Sequence, residues 1–437
     1  MKLAKITSFL ATLFSFAFVV GTATLVILYG RGYRFDVNNT SISTTGLLVA
    51  TSDPQGAQVL VDNKLVSATN ATVNLKPDWY TVRVIKEGYQ SWEKRLRVQG
   101  EIVARADAFL FPTSPSLSAL STGGALRPVL SHDGGKLAFV IPLPEQSQNE
   151  DLPASRAGVW ILSLVENPLG LNRDARQVAK SSFIDFSQAT ITWSPDATEL
   201  LAAIPRPGGR PPAYYLIDPT RNNDSPMILI DVNALDSKWK KIAATKERQK
   251  LVGFKDRFTQ VASSSMRLLS FSPDETKVLY EATASAKIPL AIEPPLIGTN
   301  PTDQTRSITS KNVYVYDAKE DRNYFLGSTE ELLSMTLSAP TLTPKGKNLT
   351  TPAPLFGTVY QPPLRLQWLP TSRHFVLISQ GKIEAMEFDG ANRKTVYSGP
   401  FWDGFVVPWT NSSKLLILSN LNPAASSLTN LYTINIR

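Results

Sequence analysis

Two histidines, His132 and His374, are the only imidazoles in 437 residues, and the chain has no cysteine. Thiol nucleophiles, disulfides, Cys-based zinc sites and iron–sulfur ligation are therefore excluded. A metal site built from a histidine cluster is nearly excluded too, and a Ser-His-Asp triad would have to use one of these two residues. Both sit in polar turns, Ser131-His132-Asp133-Gly134 and Thr371-Ser372-Arg373-His374, where turn polarity accounts for them. Asp133, Asp196 and Asp274 recur at one position of a repeated motif, so turn chemistry explains them before catalysis does. There is no Gly-x-Ser-x-Gly elbow, no Walker loop and no Gly-x-Gly-x-x-Gly. The sequence thus assigns no catalytic, cofactor-binding or metal-ligating residue.

Charge is the remaining candidate chemistry. Lys and Arg number 45 against 37 Asp and Glu, and the excess is concentrated: residues 238–257 hold eight basic and two acidic side chains. The rest is close to neutral, which argues against nucleic acid as a partner. Leu235, Trp239, Ile242 and Ala243 share one face at helical spacing, predicting a helix near 233–255 capped by Asn233 or Asp236. Lys238, Lys240, Lys241, Lys246, Arg248 and Lys250 are its candidate contact residues. They would meet anionic lipid headgroups or an anionic wall polymer. The competing reading is a solvated helix pinned by Trp239, since charge runs usually face water.

Residues 6–30 contain no charged side chain. As a helix this run would span about 37 Å against a hydrocarbon core of roughly 30 Å. Tyr29 and Tyr33 stand where an interfacial aromatic belt is expected. The rival is a cleaved signal peptide with Gly21-Thr22-Ala23 as its small-residue site, but the apolar run continues past it. The expectation is an uncleaved single-pass anchor, residues 1–33 with the cytoplasmic tip included. A linker over 34–43 would follow, with the N-terminus inside and the bulk outside. The lipid bilayer is then one partner, through residues 6–30.

From about 44 to 112 the pattern alternates in period two between turn residues, predicting a small antiparallel β-sandwich. Pro54-Gln55-Gly56-Ala57, then Val59 to Asp62, Leu75-Lys76-Pro77-Asp78-Trp79-Tyr80 and Gly88-Tyr89 carry a recognisable motif set. This segment resembles a PEGA domain, with Gln55 in place of the usual Glu and Asp78 in place of Gly. The resemblance implies a surface module on membrane-anchored proteins and no catalysis.

Past residue 113 the chain repeats itself. It is rich in Pro, with 31, and has 24 Gly, so long helices cannot dominate. Copies begin at Ser131-His132-Asp133, Trp193-Ser194-Pro195-Asp196, Phe271-Ser272-Pro273-Asp274, Trp368-Leu369-Pro370-Thr371 and, degenerately, Trp409-Thr410-Asn411. Each is a strand, a turn and a strand, followed by a third alternating strand such as Val313-Tyr314-Val315-Tyr316-Asp317. Such units bury their faces only by stacking. The hairpins resemble those of TolB-type and WD-type β-propellers, which implies a propeller of five to seven blades over 113–437. Uneven spacing implies loop inserts, at 145–156, 287–311 and 338–363. Asn38, Asn70, Asn348 and Asn411 match the glycan acceptor pattern.

The expected protein is mainly β: a transmembrane helix, a PEGA-like sandwich and a propeller. Two functions compete. One is a non-enzymatic, membrane-anchored binding or scaffolding protein of the cell envelope, without cofactor, whose propeller face engages a protein or an envelope polymer. The other is a propeller enzyme, glycan-active or of another kind, with carboxylates in a central funnel.

Overall fold

A computed structural model describes residues 2–30, 33–36, 41–100, 102–144, 153–165, 174–333, 365–379, 381–402, 404–421 and 428–437. The chain divides into two units, Met1–Phe111 with Leu296–Thr302, and Pro112–Pro295 with Asp303–Arg437.

The first unit opens with helix α1, Lys2–Gly30, 29 residues long. Its side chains are described for residues 13–27, and all of these are exposed. Among the described residues no helix is long and apolar enough to cross a membrane. The expected span over 6–30 therefore rests on the sequence. A hairpin, Tyr33–Asp36 with Ser41–Thr44, follows where a linker is expected.

Two sheets then pack face to face. One has the order Ala71–Leu75, Gly46–Asp53, Val103–Phe109, and the other Lys64–Ala68, Gln58–Val61, Asp78–Ile85, Trp92–Val98. The purely antiparallel expectation is corrected here, because Gly46–Asp53 and Val103–Phe109 run parallel. They are the first and last strands of the sandwich, so no tight hairpin constrains their direction. Alternation puts Val59, Val61, Val82, Val84, Leu48 and Ala50 into one core with Trp92. Asp62 and Asn63, both with positive φ, make the two-residue turn between Gln58–Val61 and Lys64–Ala68.

Among the described residues the second unit holds five four-stranded sheets. Sheet I is Leu126–Leu130, Lys136–Ile141, Gly158–Ser163 and Arg176–Lys180. Sheet II is Thr190–Trp193, Leu200–Ile204, Ala213–Ile217 and Met227–Ile228. Sheet III is Met266–Phe271, Lys277–Ala282, Asn312–Asp317 and Arg322–Ser328. Sheet IV is Leu366–Trp368, His374–Ser379, Lys382–Glu387 and Lys394–Ser398. Sheet V joins Val406–Pro408, Lys414–Ser419 and Asn430–Asn435 to Leu117–Ala119 from the other end of the unit. All strand pairs within these sheets are antiparallel, including Leu117–Ala119 on Asn430–Asn435.

Side-chain alternation tells each strand which neighbour to face. In sheet I, Ala138 and Val140 enter a core shared with Ile191, Trp193 and Leu200 of sheet II. Leu137, Phe139 and Ile141, one residue out of phase, enter a core shared with Val407, Trp409 and Leu416 of sheet V. Both faces are buried, so the strand reads as an unbroken apolar run. Sheets III and IV share a third core through Leu279, Val313, Phe375 and Leu377.

The first two strands of every sheet are joined by the same turn. Residue 131, 194, 272, 369 or 409 pairs through its N–H with the carbonyl five residues on, and its own carbonyl accepts from the N–H three residues on. The residue at that third place has a left-handed backbone in all five: Gly134, Ala197, Glu275, Ser372 and Ser412. Only the first is glycine, and a side chain in that region costs about 1–2 kcal/mol. Glu275→Gly, at an exposed turn position, should therefore raise the unfolding free energy by about 1 kcal/mol in urea titration. No gain would mean that chain entropy of the added glycine offsets the relieved strain.

Two helices interrupt the pattern between sheets II and III: α2, Val232–Leu251, and α3, Asp256–Ser265. The helix expected near 233–255 ends at Leu251, because Val252 to Lys255 turn the chain, and α3 beyond it was not expected. The insert 287–311 carries a short pair, Ala286–Lys287 with Ser307–Ile308. The insert 338–363 and most of 145–156 lie outside the described residues.

Candidate functional site

Helix α2 carries all six basic candidates. Its start is fixed by Asp231, whose carboxylate accepts from the Ala234 N–H at 2.9 Å. The predicted caps, Asn233 and Asp236, lie inside the helix instead. Leu235 and Trp239 are its buried residues and pack on Leu201, Tyr214 and Leu216 of sheet II. The Trp239 indole N–H donates to Glu199 Oε2 at 3.2 Å, and Lys238 Nζ meets both Glu199 oxygens at 3.1 Å. Glu199 occupies the turn-exit position that is lysine in sheets I, III and V, namely Lys136, Lys277 and Lys414.

The basic residues divide by their contacts. Lys240 pairs with Asp236 one turn back at 2.7 Å. Lys246 Nζ donates to the Pro195 carbonyl in the turn of sheet II at 3.0 Å. Lys250 Nζ lies 5.7 Å from the Phe271 ring of sheet III. Lys241 and Arg248 are exposed and enter no ion pair among the described residues. The six therefore do not form one free cationic face: four hold the helix, and two are left for solvent or a partner.

Lys246 and Lys250 also act electrostatically on His132, an exposed residue in the turn of sheet I. Desolvation pushes its pKa below the ordinary value, the Lys246 and Lys250 ammonium groups push it further down, and Asp133 opposes them in part. The sign follows from linkage. The unfolded chain binds this proton first, so a penalty on the fold appears as pH falls through the unfolded value of about 6.5 and is complete below the folded value. His132→Gln should accordingly flatten the fall in Tm between pH 7.5 and 5.5. An unchanged slope would show that other groups dominate it.

The turn aspartates are occupied. Asp196 is raised by burial but more strongly lowered by hydrogen bonds from Ser194 and Thr198, so it stays below the usual carboxylate range. Asp274 behaves likewise with Ser272, Lys277 and Thr276. Ser131 Oγ donates to Asp133 Oδ1 at 2.5 Å. Glu384 of sheet IV, also raised by burial and lowered further by its partners, is bound by Arg393, Lys382 and Ser379 within 3.1 Å.

The two histidines are not equivalent, which corrects the expectation that both lie in matching turns. His132 is inside its turn, whereas His374 is the first residue of its strand, opposite Glu387. His374 is buried, and its Nδ1 is 3.1 Å from Thr371 Oγ1. Among the described residues no group of three or more His, Asp or Glu is placed to hold a metal ion. Of the glycan acceptor positions, Asn70 and Asn411 are described. Their side-chain oxygens accept from Ser52 N and Ser413 N, at 3.4 and 2.9 Å. Asn38 and Asn348 lie outside the described residues.

The chain has TolB-like structural neighbours at low similarity. A protein described as a TolB from Agrobacterium tumefaciens is 14% identical, with 71% of this chain and 72% of that chain covered and a TM-score of 0.19. TolB from Acinetobacter baumannii is 10% identical, with coverage of 82% and 59% and a TM-score of 0.16. Hydrazine synthase from Kuenenia stuttgartiensis is 9% identical, with coverage of 92% and 99% and a TM-score of 0.17. No curated protein matches the chain significantly. The PEGA motif residues have turn and core places in the first unit: Gly56 and Gly88 have positive φ, and Ala57, Val59, Val82 and Val84 are fully buried. Residues 45–113 match the PEGA domain family.

Proposed function

We propose that this protein is a non-enzymatic, membrane-anchored binding or scaffolding protein of the cell envelope. Residues 6–30 are its single-pass anchor, with the bulk of the chain outside the cytoplasm. The described side chains of α1 support this reading. From 13 to 27 they are exposed on every face and carry no charge, which in a helix fits lipid better than water. The Thr22 and Thr24 hydroxyls bond to carbonyls of their own helix, Phe18 and Val20, at 2.8 Å.

The five sheets form a propeller in this reading, with Leu117–Ala119 on Asn430–Asn435 as the strand that fastens its ends. Its ligand is an anionic envelope polymer or an acidic protein surface. The observation that carries this is the exposure of Lys241 and Arg248 on a helix that Trp239 and Lys246 fix to sheet II. The helix backbone is in place before binding, so only the two side chains are ordered by a ligand. The occupied turn aspartates and Glu384 give no paired, accessible carboxylates to favour hydrolysis of a glycan.

The test is retention of the detergent-extracted full chain on immobilised heparin as a model polyanion. Lys241→Glu with Arg248→Glu should bring elution to clearly lower salt, while unfolding midpoints stay within error. Unchanged elution would overturn the assignment of this face.

A further inference from the structure

The four-stranded sheet of the first unit has one face in the core and one turned away from it. Register and alternation fix what the outer face carries. Leu65 stands opposite Leu60, Leu60 opposite Arg83, Arg83 opposite Glu93, Thr81 opposite Arg95, and Trp79 opposite Arg97. Trp79 is 42% exposed and Leu65 64%. The Arg95 guanidinium lies 5.2 Å from the centre of the Trp79 ring. Arg83 is neutralised by Glu93 at 3.1 Å, but Arg95 and Arg97, both exposed, enter no ion pair among the described residues. Asp62 and Asp78, at the end of the face, accept from the N–H groups of Thr81 and Trp79. Lys64 and Lys76 beside them balance those two charges, which leaves Arg95 and Arg97 in excess. The outer face of the other sheet differs, because its Arg105 is held by Asp107 at 3.2 Å.

We propose that this face lies on anionic headgroups of the bilayer that holds α1, an inference that rests on residues 6–30 being the anchor. Residues 31–45 link α1 to the sandwich, and within them Tyr33–Asp36 folds back on Ser41–Thr44. Even fully extended, such a link would reach about 50 Å, and the hairpin shortens it. The tether therefore keeps the face at high effective concentration near the lipid surface. Lipid phosphates pair with Arg95 and Arg97, while the Trp79 ring takes the interfacial depth that suits an apolar body with a polar N–H. A small anion would leave Trp79 and Leu65 in water, and an uncharged apolar partner would leave two guanidiniums uncovered. A headgroup layer meets both. The face is separate from α2 and does not depend on the polyanion reading.

The chain has no cysteine, so Leu65→Cys coupled to an environment-sensitive fluorophore reports this face alone. The full chain is reconstituted into lipid nanodiscs of phosphatidylcholine, or of an equal mixture with phosphatidylglycerol. The label should brighten and shift to the blue in the anionic discs, and fall back at about 1 M salt, where charges are screened beyond ~3 Å. A label at Asn74→Cys, on the outer face of the other sheet, should not respond. Arg95→Glu with Arg97→Glu should abolish the gain, and Trp79→Ala should reduce it, while unfolding midpoints in detergent hold. Equal emission in both discs, an equal response at Asn74→Cys, or a gain that survives the double charge reversal would each overturn the proposal. So would an equal gain on adding heparin to the neutral discs, which would make a polymer the occupant. Failure of the chain to co-elute with the discs would overturn the anchor itself, and this contact with it; co-elution without the gain overturns the contact alone.

Discussion

Asp321→Ala should destabilise the second unit by roughly 3–5 kcal/mol, read as a lowered urea midpoint, because it strands a buried guanidinium. Asp321 is 4% exposed and stands between two segments of sheet III. One oxygen accepts from Tyr316 Oη at 2.8 Å and from Arg306 at 3.2 Å. The other accepts from the N–H groups of Ala291 and Ile292 at 2.8 and 3.1 Å, within the insert. Arg306 also donates to the Asp321 and Pro289 carbonyls. Burial, and then the bond to Asp321, raise the Tyr316 phenol far above its ordinary range, so it remains a donor at any physiological pH. Alanine removes the acceptor for four donors at once. Asp321→Asn keeps an acceptor oxygen but no charge, and should fall between wild type and alanine. A loss below about 1 kcal/mol for alanine would show that water replaces the carboxylate.

Trp239→Ala should cost about 3–5 kcal/mol, the usual range for emptying a buried tryptophan site. Trp239 is 0% exposed and is the anchor of α2 on Leu201, Tyr214 and Leu216. Its loss also leaves Glu199 with Lys238 alone. Because α2 has few other buried residues, the penalty has a second signature. Limited proteolysis should cut within 238–250 well before the sheets unfold. Trp239→Phe, which keeps most of the volume and drops the N–H, should lose much less. If both variants resist cleavage as the wild type does, the helix is held by its lysine contacts, and the heparin-binding face would survive too.

The strands were legible because alternation and turn residues are local. Asp62-Asn63 and the Ser-Pro-Asp turns each settle their backbone within a few residues. The parallel pairing of Gly46–Asp53 with Val103–Phe109 was not legible, since the paired residues lie 56 positions apart and nothing between them specifies direction. The helix near 233–255 was readable from Leu235 and Trp239, but α3 was not, because Asp256–Ser265 owes its burial to Phe258 and Ala262 packing on Tyr280, Tyr314 and Tyr316.

The basic run shows the same division. Its composition is a property of the chain, but the fate of each charge depends on Glu199, Asp236 and the Pro195 carbonyl, two of which are about forty to fifty residues away. Sequence alone determined the absence of thiol chemistry, the repeated hairpins, the PEGA segment and the uncharged N-terminal run, because these depend on residue type and short spacing. Tertiary structure decided which lysines are consumed and which aspartates are saturated. Hydrogen bonds and burial are made between residues distant in sequence, and only folding brings those partners together.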